Sequence, residues 1–203
     1  MTFASSRTLS FAPSGAIYDV ADPGARPVDF AHVAMRLART YRFNASAGAL
    51  SVLQHEVMGA EAIIAEGGSA LDASLFLHHD DHEFILGDMV SPVSATIALA
   101  LPAFRDAWSD IKANWDRALF AALRLPVPDR WTEAQAALVR SMDMRMQAVE
   151  SRALFGARGM DQFTPAQRRT PRLKTGLDKV WPPERAIELW FDAHRKFTGR
   201  TLR

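Results

Sequence analysis

Cysteine is missing from all 203 residues, which excludes disulfide staples, thiolate metal ligands and thiol nucleophiles. Also missing is any apolar run of the roughly 18 residues that a membrane-spanning helix requires. Residues 1–20 hold no apolar stretch of the kind a secretory leader carries, so no membrane partner and a cytoplasmic location are expected. Large net charge is absent too, with 24 basic against 23 acidic residues, and the whole molecule has no field suited to a polyanion. That balance hides an asymmetry. Residues 1–151 carry twelve basic and eighteen acidic side chains, and residues 152–203 carry twelve and five. A basic tail on an acidic body suits packing of one on the other, or phosphate contacts, better than a nucleic-acid arm. Nucleic acid is not expected as a partner. With 48% hydrophobic residues, the composition predicts one domain over residues 1–203 with a full core.

The most telling shortage is local. From Phe76 to Asp88 there is neither Lys nor Arg, while His78, His79, Asp80, Asp81, His82, Glu83 and Asp88 crowd together. Imidazoles and carboxylates without neighbouring cations attract divalent metals. Leu71, Leu75 and Leu77 on one side and Phe84, Ile85 and Leu86 on the other place this cluster in a protected setting.

Around it the periodicity predicts helices. Residues 6–20 alternate about Pro13, Ser14 and Gly15 and read as a short hairpin. Helical spacing of Phe30, Val33, Ala34 and Leu37 spans about 28–41. Ser51 with Gln54, and Thr132 with Gln135, have capping-box spacing, opening helices that end near Gly67 and at Gly156. A helix from about Ala70 leads into the histidine stretch. Residues 94–124 read as one or two helices interrupted near Pro102. A basic loop over 157–180 precedes a last helix from Pro183 to Phe197. The expected fold is all-α, a single helical bundle with a short N-terminal hairpin and a core over about 28–155.

If His79 and Glu83 lie on a helix, they share a face, with Asp80 one position round. Adjacent His79 and Asp80 can meet one metal at a helix end, and Glu83 then stands close enough to move a proton. Further ligands are sought among isolated polar residues on apolar faces. His55 lies between Leu53 and Val57, and Asp143 lies among Met142, Met144 and Met146, where a bare carboxylate is costly. Each has a plainer reading: His55 as a hydrogen-bonded half-buried side chain, Asp143 as a partner of Arg140 or Arg145, the methionines as core filler. His78 and His82 form a rival i,i+4 frame, and Asp81 reads as a solvated neighbour.

Taken in order, the motifs resemble the HD-domain metal-dependent phosphohydrolase superfamily, and most closely its small bacterial and phage branch of 5′-deoxynucleotidases and deoxynucleoside triphosphate hydrolases. The resemblance is carried by Ser14-Gly15, Asp22-Pro23 and Arg42-Phe43-Asn44, by Ser51-Val52-Leu53-Gln54-His55, and by His79-Asp80 with Glu83, Gly87-Asp88 and Pro92. Asp143 with Glu150 completes it. It implies an HD-domain helical bundle with one divalent transition metal (Co, Mn, Zn, Fe or Ni) on His55, His79, Asp80 and Asp143. Mg would join where the substrate is a triphosphate. It implies Glu83 as general acid/base, Asp88 beside sugar and phosphate, Arg42 and Arg39 on phosphate, and Phe43 against the 2′ carbon where the branch has Trp. Glu56 stands where the branch has a phosphate-facing Ser, and Asp81 and His82 either hold a second metal or face water. The activity implied is hydrolysis of a deoxynucleoside mono- or triphosphate by a cytoplasmic homodimer or higher homo-oligomer. The apolar surplus at Phe104, Trp108, Trp115 and Phe120 also points to self-association. The alternatives are hydrolysis of another small phosphate ester, or a non-catalytic nucleotide- or metal-binding regulator.

Overall fold

The computed structural model describes residues 9–11, 15, 17–24, 27–46 and 48–202. Pro13 and Ser14, which carry part of the hairpin expectation, lie outside them. Strands β1 (Leu9–Phe11) and β2 (Ile17–Asp19) pair antiparallel, and the other described residues are in helices and connections. The fold is all-α. Helix α1 (Phe30–Leu37) starts where the Asp29 carboxylate accepts from the His32 amide and buries Phe30, Val33, Ala34 and Leu37. It is shorter than periodicity suggested, because the chain leaves it at Ala38 for a loop closed by a bridge between Tyr41 and Ser51.

Helix α2 (Val52–Ala65) is buried on nearly every side, which makes it the axis of the molecule. Ser51 caps it by accepting from the Gln54 amide, but Gln54 does not complete a capping box. Its side chain instead donates to the Lys179 carbonyl at 2.8 Å and accepts from the Trp181 amide at 2.9 Å. The full box expected at Thr132 and Gln135 is present, and an unforeseen one at Ser69 and Asp72 opens α3 (Ala70–Leu77). Helices α2 and α3 meet at Gly59, where a Cβ would run into the ring of Phe76. That missing side chain lets Phe76 lie between the two helices.

Helix α3 ends at Leu77, so the histidine stretch is a series of turns and not a helix. It leads into α4 (Glu83–Leu86), then α5 (Ser91–Ala100) and α6 (Ala103–Leu123). Helix α7 (Glu133–Phe155) packs on α2 and α3, and so does α8 (Pro183–Thr198). The core therefore extends beyond residue 155: Ala186, Trp190, Ala193 and Phe197 of α8 are buried in it. Of the four aromatics in the supposed surplus, Trp115 and Phe120 are core residues, while Phe104 and Trp108 stack on each other nearer the surface. Helix α5, apolar along most of its length, buries none of its residues, and Leu99 is 85% exposed.

Candidate metal centre

Four side chains from three elements converge beside α2. His55 comes from the first turn of α2, His79 and Asp80 from the turns after α3, and Asp143 from the middle of α7. Their ligand atoms lie within 4.8 Å of one another. His55 Nε2 is 3.4 Å from Asp143 Oδ1, and His79 Nε2 is 3.2 Å from Asp80 Oδ2 and 3.8 Å from Asp143 Oδ1. Two ligands each about 2.1 Å from one ion in tetrahedral geometry stand roughly 3.4 Å apart. The observed separations bracket that value.

The histidines are fixed for this role by their outer nitrogens. His55 Nδ1 donates to Glu150 Oε1 at 2.8 Å, and His79 Nδ1 donates to the Phe76 carbonyl at 2.7 Å. In the neutral ring both bonds place the proton on Nδ1 and leave the lone pair on Nε2. Both Nε2 atoms are buried without a hydrogen-bond partner, a costly state unless something else binds them. Two imidazole and two carboxylate donors suit a borderline divalent ion such as Zn, Mn, Fe, Co or Ni. This group can hold a metal ion.

Phe76 closes the back of the centre, its ring 4.4 Å from that of His79 and 5.5 Å from that of His55. The close contact at Gly59 thus sets the position of both histidines. Arg42 closes the side. Its Nε donates to Glu150 Oε2 at 2.8 Å, and its terminal nitrogens stand 3.7 Å from Asp80 and 3.8 Å from Asp143. Burial works against its charge, but Glu150, Asp143 and Asp80 outweigh that and raise its pKa. For His79 burial likewise opposes the proton, and Asp80 and Asp143 overcome it, lifting the pKa to about 9.

No protein-family profile and no curated protein matches this chain. What the centre can do is read from its own chemistry.

Its two carboxylates, Asp80 and Asp143, line a cavity of about 780 Å³. Glu83, Asp88 and Lys112 line it beside Arg42, and Phe43, Met89, Pro92 and Phe155 give it apolar lining. Phe43 and Phe155 meet edge to face, with ring centroids 5.5 Å apart. Glu83 is 9% exposed, and its Oε2 has no partner. Burial, then Asp80 and Asp88, push its pKa well above the ordinary carboxyl value. Asp88 is raised less, chiefly by burial. The backbone of Phe43, Asn44 and Ala45 has φ of 55°, 54° and 55°, a left-handed run that side chains disfavour. This loop brings Arg42 and Phe43 to the cavity.

Of the residues picked out by sequence, the cavity gathers Arg42, Phe43, Glu83 and Asp88 with two of the four candidate ligands, Asp80 and Asp143, while His55 and His79 do not line it. Arg39 does not line it either. It is exposed, 3.2 Å from Glu184 on α8, because α1 ends before it can turn inward. Nor does Glu56 line the cavity. It faces α8 and accepts from Trp190 Nε1 at 3.0 Å. Asp81 is not solvated. It is fully buried, with Oδ2 2.9 Å from His78 Nδ1, and His78 Nε2 is 2.9 Å from His194 Nδ1. His78 therefore faces away from the metal group, and its pairing with His82 does not occur. His82 is also buried, with Nδ1 donating to Asp116 at 2.9 Å. Lys112 and the positioning role of Glu150 went unforeseen. Lys112 lies on a helix with many other charges, and Glu150 stood only as one letter of a motif.

Proposed function

We propose that this protein is a metal-dependent phosphohydrolase acting on a nucleotide, as its resemblance to HD-domain phosphohydrolases suggests. The observation that carries the reading is the pair of buried Nε2 atoms without a hydrogen bond beside Asp80 and Asp143, two carboxylates that line a cavity also lined by the aromatic rings of Phe43 and Phe155. A nucleotide has the matching polarity, with a charged phosphate at one end and a flat apolar base at the other. The volume is of the size that accepts such a ligand. Four carboxyl groups line the cavity against two cations, Arg42 and Lys112, so a phosphate needs further positive charge there.

His55, His79, Asp80 and Asp143 would hold the ion. When bound, a divalent ion there polarises a phosphoryl oxygen and acidifies water. The rest falls to the chain. Glu150 holds His55 in its ligating tautomer and anchors Arg42 by Nε. The terminal nitrogens of Arg42 and the ammonium of Lys112 then meet phosphate oxygens. Glu83, whose pKa is raised by burial and by its acidic neighbours, gives its proton to the leaving oxygen of the sugar. Phe43 and Phe155 exclude water at the nucleoside end. The deoxyribose preference, the cytoplasmic location and assembly through the exposed α5 are parts of the same proposal. Among the described residues no helix is long and apolar enough to cross a membrane.

The test is a screen of the Mn-, Co- and Zn-loaded protein against deoxy- and ribonucleoside mono-, di- and triphosphates, with products identified by mass. Hydrolysis of at least one nucleotide, lost on chelation and restored by metal, is expected. No phosphate release from any of them would overturn the reading.

A further inference from the structure

A second group of potential ligands abuts the first. Asp80, His82 and Glu83 bring ligand atoms within 4.8 Å of one another, and Asp80 belongs to both groups. His82 is 3% exposed, and Asp116 of α6 takes its Nδ1–H at 2.9 Å, so the ring's lone pair is on Nε2. This repeats the way in which Glu150 prepares His55. Glu83 supplies an independent sign of a missing partner. It is more than nine-tenths buried, and Oε2 has no hydrogen bond.

We propose that Asp80, His82 and Glu83 form a second divalent-cation site, bridged to the first through the Asp80 carboxylate, and that filling it silences the protein by engaging Glu83. The set of one nitrogen and two carboxylates accepts Mn²⁺ or Zn²⁺. Three protein ligands in place of four, one of them shared, make it the weaker site. Lys112, whose charge acts on Glu83, and the nearby Arg42 weaken it further by repulsion. The two sites therefore fill in order, the four-ligand site first. The carboxylate that the second ion takes is the one assigned above to proton transfer, so excess metal inhibits. This consequence rests on the proposed phosphohydrolase function, whereas the site itself does not.

The experiment uses the full chain loaded with one Mn²⁺, followed by further Mn²⁺ under low-temperature electron paramagnetic resonance and equilibrium dialysis. A second ion per chain is expected, bound at least about tenfold more weakly, with the single-ion spectrum giving way to that of an exchange-coupled pair. Nucleotide hydrolysis should fall in step. The variant His82→Asn keeps a donor for Asp116 in place of Nδ1–H and removes the second ring nitrogen. It should retain the first ion and its spectrum but show neither the coupled pair nor inhibition by excess metal. A single-ion spectrum that persists to millimolar Mn²⁺, or a coupled pair that survives in His82→Asn, overturns the second site. If the pair forms in a protein that hydrolyses no nucleotide at any loading, the site stands and the phosphohydrolase reading falls. If hydrolysis proceeds with one ion and never more, the reverse holds.

Discussion

Glu150→Gln is the sharpest probe of how the centre is built. The wild-type carboxylate is fully buried and accepts two hydrogen bonds of 2.8 Å, one from His55 Nδ1 and one from Arg42 Nε. Burial alone would raise its pKa, but Arg42 and His55 hold it below the ordinary value, so it is ionised. A glutamine of the same shape has one acceptor oxygen for these two donors. If the oxygen faces Arg42, the amide nitrogen faces His55 and forces the imidazole proton onto Nε2, which removes the ligand lone pair. If the oxygen faces His55, the amide N–H opposes the Arg42 Nε–H, and a buried donor is left unmet at about 1–3 kcal/mol. Outer partners of ligating histidines are typically worth about 10–100-fold in metal affinity. That range equals roughly 1.4–2.7 kcal/mol, in line with the cost of one unmet donor. Competition with a chromophoric chelator measures it, and near-ultraviolet circular dichroism checks that the variant is folded. A folded Glu150→Gln protein that binds metal within threefold of wild type would refute this account of His55.

Four further outcomes are expected. His79→Ala should remove most of the bound metal by elemental analysis, whereas His78→Ala should keep it but melt lower, since Asp81 and His194 then lose a buried partner. Glu83→Gln should keep the first metal while turnover falls by about 10²–10⁴-fold; a loss of only a few-fold would remove Glu83 from proton transfer. His79 has its pKa raised from 6.5 to about 9 in the metal-free protein, so it contributes stability fully present below about pH 6.5 and lost as pH rises through 9. Glu83 and Asp81, also raised, act in the same direction. Metal-free melts should therefore drop between pH 6.5 and 9.5, while metal affinity, which requires His79 to release its proton, rises over that window. Light scattering at micromolar concentration should show at least a dimer, and Leu99→Glu on the exposed face of α5 should return it to a monomer.

The sequence makes the helices legible where local rules decide them. Ser51 and Thr132 mark helix starts, Gly156 marks a stop, and apolar spacing picks out the faces of α1 and α8. The two histidines and two aspartates that converge were within reach through the resemblance, whose intervals to Glu83 and Asp88 fit His79-Asp80 and not His78. Much of what holds them was not. Asp81 and His82 look like surface residues beside each other, but Asp81 is held by His78, which reaches His194 116 positions away, and His82 by Asp116, 34 positions away. Arg39 fails for the opposite reason. Its proximity to Arg42 in the chain says nothing about the end of α1 that separates them. Residues 78–82 form turns closed by local i,i+3 backbone hydrogen bonds in place of a continued helix, while the His78 and His82 side chains reach His194 and Asp116.

The grip of Gln54 on residues 179–181 also governs when the centre can be completed during synthesis. Gln54 and Glu56, buried on either side of His55, find their partners 125 to 134 positions later, at Lys179, Trp181 and Trp190. At roughly 5–20 residues per second, a ribosome needs about 6–25 s to reach them after α2 has been made. During that interval α2 carries polar groups that cannot be buried without cost, and His55 has no settled position. Metal capture is thereby deferred until the C-terminal helix has docked, and a chain stalled before residue 179 should emerge without a finished centre.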